Sequence, residues 1–406
     1  MVNLTREKLV SLTEKYGNAF YLLDSVQFKK NYLDLTSEFE KIYPNFKIAY
    51  SYKTNYTPKF CRIVDECGGY AEVVSEMELE IARRIGVDAR RTIWNGPIKN
   101  VEMMEEFLML GGTVNVDSIS EMAEIIAIAN VHPESLFNIG IRCNFDVGDG
   151  VVSRFGFDVD GEDFSKAIEL LKDAANVRLI NLQCHFAKRN VEFWPARARG
   201  MAELTKRIAQ MIGYTPDRVD IGGGLYGNMA ESLKAQFSSV IPSYADYAMA
   251  AATVFAESFP NHEIELVIEP GSALVGDCMQ FVGRIETIKK VRGKIFATVL
   301  ASQKNISMSG VNPPLKVINA TETAEHLYDV DIVGYTCIEG DVLYRGYSGK
   351  LAVGDFVVFS NCGSYSIVMK PPFILPNFPV LDICADDVEL IKRQETFDDL
   401  FGTFVF

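Results

Sequence analysis

The chain has 406 residues, 48% hydrophobic and 23% charged, with a formal charge of −14. That length exceeds one small core and predicts two domains of ordinary globular composition. The acidic balance argues against nucleic-acid and anionic-membrane partners, and no apolar run approaches the roughly 18 residues of a membrane span.

The first residues, Met1-Val2-Asn3-Leu4-Thr5-Arg6-Glu7-Lys8, carry no apolar signal segment. Eight scattered cysteines with no C-x-x-C pair predict reduced thiols, a cytoplasmic protein and no metal site. A helix is expected over 5–16, a strand over Ala19–Leu23 and a helix over 26–43. The next run, Ile48-Ala49-Tyr50-Ser51-Tyr52-Lys53-Thr54-Asn55, is apolar and β-type and ends in a lysine. Pro58 then opens a helical pattern that continues to Cys67. Further strands are expected at 71–74, 92–94, 113–116, 137–141, 177–184, 218–221 and 265–268. Helical patterns fall between them at 76–85, 101–110, 119–129, 163–174, 194–211 and 244–259. Eight strands alternating with helices predict an α/β fold built on a closed (β/α)8 TIM-type barrel. After Glu269-Pro270-Gly271 the pattern changes to strands at 279–288, 295–300, 316–320, 331–333, 342–344 and 355–359. These predict a second, mostly β domain of sandwich or barrel-like build, which the strand Ala19–Leu23 would join. The expected division is 28–275 for the barrel and 1–27 plus 276–406 for the β domain.

Barrels of this kind place their chemistry at the C-terminal ends of the strands. Here those ends carry Lys53, Ser75, Asn95, Asp117, Arg142, His185, Gly222-Gly223-Gly224 and Glu269. Polar loops alone account for one or two such residues, not for a Lys, an Arg, a His, a triple Gly and a Glu together. A free lysine is a poor nucleophile at neutral pH, but one held on a strand end can form a Schiff base with a cofactor. The run Val219-Asp220-Ile221-Gly222-Gly223-Gly224-Leu225 is a strand feeding glycines whose N–H groups can approach a phosphate. His185 is either a structural hydrogen-bonder or a ring that stacks on an aromatic cofactor. A buried Glu269 needs a cationic partner, which a protonated pyridine nitrogen would supply. In the β domain, Cys337 lies in Gly334-Tyr335-Thr336-Cys337-Ile338-Glu339-Gly340-Asp341. A single cysteine is more often an inert small hydrophobe. Gly363-Ser364-Tyr365 is another small-residue turn, with a tyrosine available to a phosphate.

In this order, from about Phe20 to Phe373, these motifs resemble the pyridoxal-phosphate decarboxylases of the alanine-racemase-like fold, the diaminopimelate, ornithine and arginine decarboxylase family. The resemblance implies a pyridoxal 5'-phosphate enzyme with Lys53 as its Schiff-base lysine. Val73-Val74-Ser75 with Glu78-Leu79 is similar to the family's second-strand motif, and Ser153-Arg154-Phe155-Gly156 to its Ser-Lys-Phe-Gly segment. By the same resemblance His185 stacks on the ring and Gly222, Gly223 and Gly224 cradle the phosphate. Glu269 pairs with the pyridinium, Tyr365 binds phosphate, and Cys337 is the catalytic cysteine given across a head-to-tail homodimer with shared active sites. An amino-acid racemase is the rival reading, but racemases of this fold usually place Arg at the ring nitrogen.

Departures cluster at the substrate end. Ser272 stands where the family has Arg after Glu-Pro-Gly. His185 is followed by Phe186-Ala187-Lys188-Arg189, with Lys188 at the position of a phosphate-binding Ser. Asn312-Pro313-Pro314-Leu315-Lys316 replaces an Arg-Pro-x-x-Tyr segment. Ile338 replaces the acid that meets a distal ammonium, unless a one-residue offset makes Glu339 that acid. The expectation is an amino-acid decarboxylase with non-standard distal-group specificity. Lys188 is expected to help hold phosphate, and Arg142, Asn312, Lys316, Ile338 and Glu339 to lie at the substrate end.

Overall fold

A computed structural model describes residues 4–306, 312–320, 324–384 and 387–406. The chain divides into two compact units. One comprises Asn31–Tyr226 and Pro242–Ala273. The other takes the chain up to Lys30 with Gly227–Ile241 and Leu274–Phe406. The segment Gly227–Ile241, inside the range expected for the barrel, therefore groups with the β-rich unit.

In the barrel unit eight strands close on themselves. They are Phe46–Ser51, Tyr70–Val73, Thr92–Trp94, Thr113–Val116, Phe137–Asn144, Val177–Gln183, Arg218–Asp220 and Glu265–Ile268. All neighbours are parallel, and the ring closes where Leu266, Val267 and Ile268 pair with Phe46, Lys47 and Ile48. These strands are buried on both faces, so they read as short apolar runs rather than alternations. The fifth strand extends past its expected end at Ile141 to Asn144, so Arg142 lies within it.

Helix starts fix the loops that leave the strand ends. Ser75 accepts a hydrogen bond from the Glu78 amide at 3.3 Å, and Ser118 accepts one from Glu121 at 3.4 Å. Glu78 and Glu121 reach back to the amides of Val74 and Asp117, at 2.8 and 2.7 Å. Each serine thus anchors its helix while the glutamate ties the chain entering the helix to it.

A ladder of amide side chains crosses the barrel interior. Asn181 donates to Asn115 at 2.8 Å, and Asn115 donates to Asn95 at 2.7 Å. All three are buried. Space for the ladder comes from Gly140, which pairs with both Asn115 and Asn181. A Cβ there would lie 1.8 Å from Asn115 Oδ1.

The β-rich unit holds a nine-stranded sheet. Its central strand Met279–Val291 pairs antiparallel with Ala19–Leu23, Lys294–Val299 and Phe356–Phe359. Ala19–Leu23 therefore belongs to this sheet, as expected. Phe20, Leu22, Val282, Phe356, Val358 and Leu381 form its core with Leu9 and Leu12 of the helix Arg6–Tyr16. The strands Val380–Cys384 and Asp387–Lys392 were not expected from the sequence. A buried acid interrupts the first run: Asp382 accepts hydrogen bonds from the Ser25 amide and hydroxyl at 3.2 and 2.7 Å.

Gly140→Ala is expected to lower stability by about 2–4 kcal/mol, from overpacking and a broken buried hydrogen bond. Adding Asn115→Ala should make the double variant less destabilised than the sum of the two single changes. Urea unfolding of the three variants measures this, and strict additivity would contradict the ladder.

Candidate active site

Lys53 follows the first barrel strand directly, in the single tight turn Tyr52–Thr54. Its ammonium donates to both carboxylate oxygens of Glu72, at 3.0 and 2.8 Å. Glu72 lies inside the second strand, fully buried, and also accepts from the Ser51 hydroxyl and, at 2.9 Å, from the Asn95 amide. Burial works against the lysine's charge, but Glu72 first and Glu269 next outweigh it, so Lys53 titrates above its ordinary value.

Glu269 directly follows the eighth strand and is 2% exposed. The other hydrogen bond of Asn95 Nδ2 reaches it at 2.5 Å, and Gln183 donates to both its oxygens at 3.2 Å. Burial opposes its ionisation, but the Lys53 and Arg142 charges favour it, and the carboxyl stays ionised. His185 itself is pushed below its usual range, chiefly by burial. Its Nδ1 accepts from the Gly223 amide at 3.0 Å and lies 3.7 Å from Glu269. The ring is therefore neutral with its proton on Nε2. The Lys53 ammonium and the amide donors of Asn95 and Gln183 still stabilise the Glu269 carboxylate. Below it, Asp220 ends the seventh strand, fully buried, and Oδ1 accepts from the Gly222 amide at 2.8 Å. Burial and the neighbouring Glu269 push the Asp220 carboxyl well above its ordinary range.

Gly222 and Gly224 adopt φ of 72° and 92°. A Cβ on Gly222 would stand 2.2 Å from the Cys184 carbonyl oxygen, and one on Gly223 would stand 2.2 Å from that of Glu269. Only glycine allows this approach. The buried cation at the loop is Arg197, from the helix Trp194–Ile212. Lys188 exposes its side chain, and its carbonyl rather than its ammonium faces the loop.

Arg142 is 11% exposed and lies 3.8 Å from Asp117. Its guanidinium is 4.7 Å from the ring centre of Phe155, and that of Arg154 is 4.0 Å from it. Gly156 donates to Asp117 at 3.1 Å, so the Ser153-Arg154-Phe155-Gly156 segment is fastened beside Arg142.

The remaining expected residues belong to the β-rich unit. Cys337, Ile338 and Glu339 are exposed in the turn between the strands Glu325–Val333 and Val342–Leu351. Asp341 ties that turn, accepting from the Thr336 hydroxyl at 2.6 Å and the Gln303 amide at 2.8 Å. Asn312 exchanges hydrogen bonds with the backbone of Arg345, at 3.4 and 3.0 Å, and Lys316 is exposed on the strand Leu315–Ile318. Tyr365 has φ of 64°, an unusual backbone for a side-chain-bearing residue, in a turn that packs Gly363 on the carbonyl of Val275.

Sequence reasoning did not single out Glu72, Gln183, Asp220 or Arg197. The available signal was a charged or amide residue inside an apolar strand or on the apolar stripe of a helix.

Glu78 gives a pH test of this electrostatic arrangement. Burial, with Glu72 adding to it, raises its carboxyl from 4.5 to about 7. The folded state then holds a proton that the unfolded chain releases first, so stability falls as pH rises through that window. Glu78→Gln keeps the acceptor for Val74 but removes the titration. Wild type should lose about 1–3 kcal/mol relative to the variant between about pH 4.5 and 7. Denaturant unfolding of both proteins at either end of that window checks this, and an unchanged gap would contradict it.

Comparison with known proteins gives the arrangement its context. The family described as pyridoxal-dependent decarboxylase, pyridoxal binding domain, matches residues 30–276. Diaminopimelate decarboxylase of Methanocaldococcus jannaschii is 26% identical, with 97% of this chain and 92% of that protein covered. Its namesake from Aquifex aeolicus is 24% identical, with 96% and 92% covered. A crystal structure of the M. jannaschii enzyme shares the fold, with TM-score 0.85 at 24% identity and 98% and 94% of the two chains covered. The residues fit the family's cofactor. An amine stands beside an ionised buried carboxylate and a neutral imidazole, and the glycine loop is closed to any larger residue. The chain belongs to the pyridoxal-dependent decarboxylases and is a pyridoxal-phosphate-dependent carboxy-lyase acting on an amino acid.

Proposed function

We propose that this enzyme works through Lys53, as a cytoplasmic homodimer with shared active sites, on an amino acid whose distal end is uncharged or anionic. The observation that carries the first part is the Lys53–Glu72–Asn95–Glu269 network, with its amine, its two buried acids and the amide between them. Bound pyridoxal phosphate supplies an electron sink for the pair of electrons that departing CO2 leaves behind. Lys53 supplies the amine that holds the cofactor, and Glu72 takes and returns the lysine's proton. Glu269, ionised and buried, keeps a proton on the ring nitrogen. His185 offers a neutral flat ring for stacking. The Gly222–Gly224 loop, with Tyr365, takes the phosphate. The partner subunit's Cys337, or a water it orients, donates the proton that replaces CO2.

Support for the unusual distal group comes from the residues at the substrate end. Ile338, next to Cys337, offers apolar surface where a distal ammonium would need an acid. Asp341 is already engaged by its own turn. Arg142, Asn312 and Lys316 add cationic and neutral donors. Glu339 is the first residue to test should a distal ammonium prove to be required.

Borohydride treatment should fix a pyridoxyl group on the peptide containing Lys53, as read by mass spectrometry. Attachment to another lysine would refute the assignment. CO2 release over a panel of amino acids should show ornithine, lysine and meso-diaminopimelate to be poor substrates. A kcat/KM for any of them at or above about 10⁴ M⁻¹s⁻¹ would overturn the specificity reading. Mixing inactive Lys53→Ala and Cys337→Ala chains should restore at most about a quarter of the activity through hybrid dimers. No recovery after demonstrated subunit exchange would exclude the shared site.

A further inference from the structure

Arg197 is fully buried beneath the glycine loop, on the apolar stripe of the helix Trp194–Ile212. Among the described residues no carboxylate forms an ion pair with it. Its Nη1 donates to the carbonyls of Gly223 at 2.7 Å and Ile221 at 3.2 Å. Its Nη2 makes longer contacts, 3.5 Å each, to the carbonyls of Phe186 and Lys188. The guanidinium lies 4.5 Å from the ring centre of Trp194 and 5.5 Å from that of Phe186. Its Nε finds no acceptor. A buried charge is costly unless it is paired, and dipoles from carbonyls compensate it only in part.

The carbonyls it holds have a geometric consequence. In a trans peptide the C=O and the following N–H point in opposite directions. Anchoring the carbonyls of Phe186, Lys188 and Gly223 to one guanidinium therefore turns the amides of Ala187, Arg189 and Gly224 away from it. No backbone or side-chain acceptor among the described residues takes those three N–H groups, whereas Gly222 and Gly223 spend theirs on Asp220 and His185. Three N–H donors turned outward, backed by a buried positive charge, have the chemistry of an anion site.

We propose that Arg197 is the fixed counter-charge of the phosphate-binding loop, gathering two loops by their carbonyls and offering their amides to the cofactor's phosphate. It is a positioning residue and does not touch the phosphate. It supplies from behind the loop the charge that Ser272 does not supply from the front. This rests on the reading of Gly222–Gly224 as the phosphate cradle.

Binding to the apo-protein is the test, read by absorbance and by tryptophan fluorescence. Pyridoxal 5'-phosphate and pyridoxal are titrated separately. Wild type should prefer the phosphorylated form strongly. Equal affinities would remove the phosphate reading of the loop itself, independently of Arg197. Arg197→Met should weaken pyridoxal 5'-phosphate binding by about tenfold or more, with pyridoxal binding held within about threefold. Arg197→Lys, which keeps the charge, should retain most of the phosphate preference. Equal loss for both ligands in a variant that still unfolds cooperatively would reduce Arg197 to a packing role and overturn the proposal. So would a lysine variant no better than methionine. If Arg197→Met does not fold, Arg197→Gln replaces it as the neutral variant, with the same outcomes deciding.

Discussion

Two buried carboxylates share one amide nitrogen at the centre of this protein. Asn95 Nδ2 donates to Glu72 and to Glu269, and the Lys53 ammonium lies against Glu72. Removing two carboxyl groups from water is expensive, and the cost is offset only by complete hydrogen bonding and a nearby cation. Most of the site follows from meeting that requirement. Gln183 is needed for the remaining Glu269 lone pairs, and Ser51 for Glu72. Asp220, buried beside Glu269, is pushed well above the ordinary carboxyl range for the same reason. The barrel satisfies these demands because strands of one sheet deliver side chains to one interior at fixed spacing.

That dependence explains what was legible in the sequence. Strand-end residues such as His185, Glu269 and the three glycines stood out because apolar runs stop at them. Lys53 stood out for the same reason, although it sits in the turn after its strand rather than on the strand itself. Glu72 was not legible as a site residue because it falls within its strand, where a glutamate in an apolar run suggests a shifted boundary. Arg197 was hidden more thoroughly. It stands in Ala196-Arg197-Ala198-Arg199, where Arg199 is exposed and Arg197 is buried. Only the spacing Trp194, Arg197, Ala198, Met201 puts it on the inward stripe, and arginine is rarely expected there. The β-rich unit was readable strand by strand as far as Phe359; Val380–Cys384, where Asp382 breaks the run, and Asp387–Lys392 were missed.

The same comparison separates two kinds of departure from the family pattern. At the cofactor end Lys188 stands where the family has serine, and the buried Arg197 binds the carbonyls of Gly223 and Lys188. At the substrate end Ile338 and Glu339 stand side by side in one exposed turn. Asp341 keeps its spacing from Cys337, but its carboxylate closes the turn that Gly334 makes room for, where a Cβ would stand 2.1 Å from Asp341 Oδ2. Ile338 stays exposed beside it.

The asparagine ladder has a polarity of its own. Asn181 donates to Asn115, Asn115 to Asn95, and Asn95 to the two acids, so every amide points its nitrogen the same way. Ionised carboxylates only accept, and this forces the orientation of each amide below them in turn. A proton placed on Glu72 or Glu269 would remove one acceptor at the top, and the chain of amides would no longer have a single lowest arrangement. The side-chain amide resonances of Asn181, on the sixth strand, are therefore coupled to the ionisation of acids on the second and eighth. They form a built-in spectroscopic reporter of the charge state on which the chemistry depends.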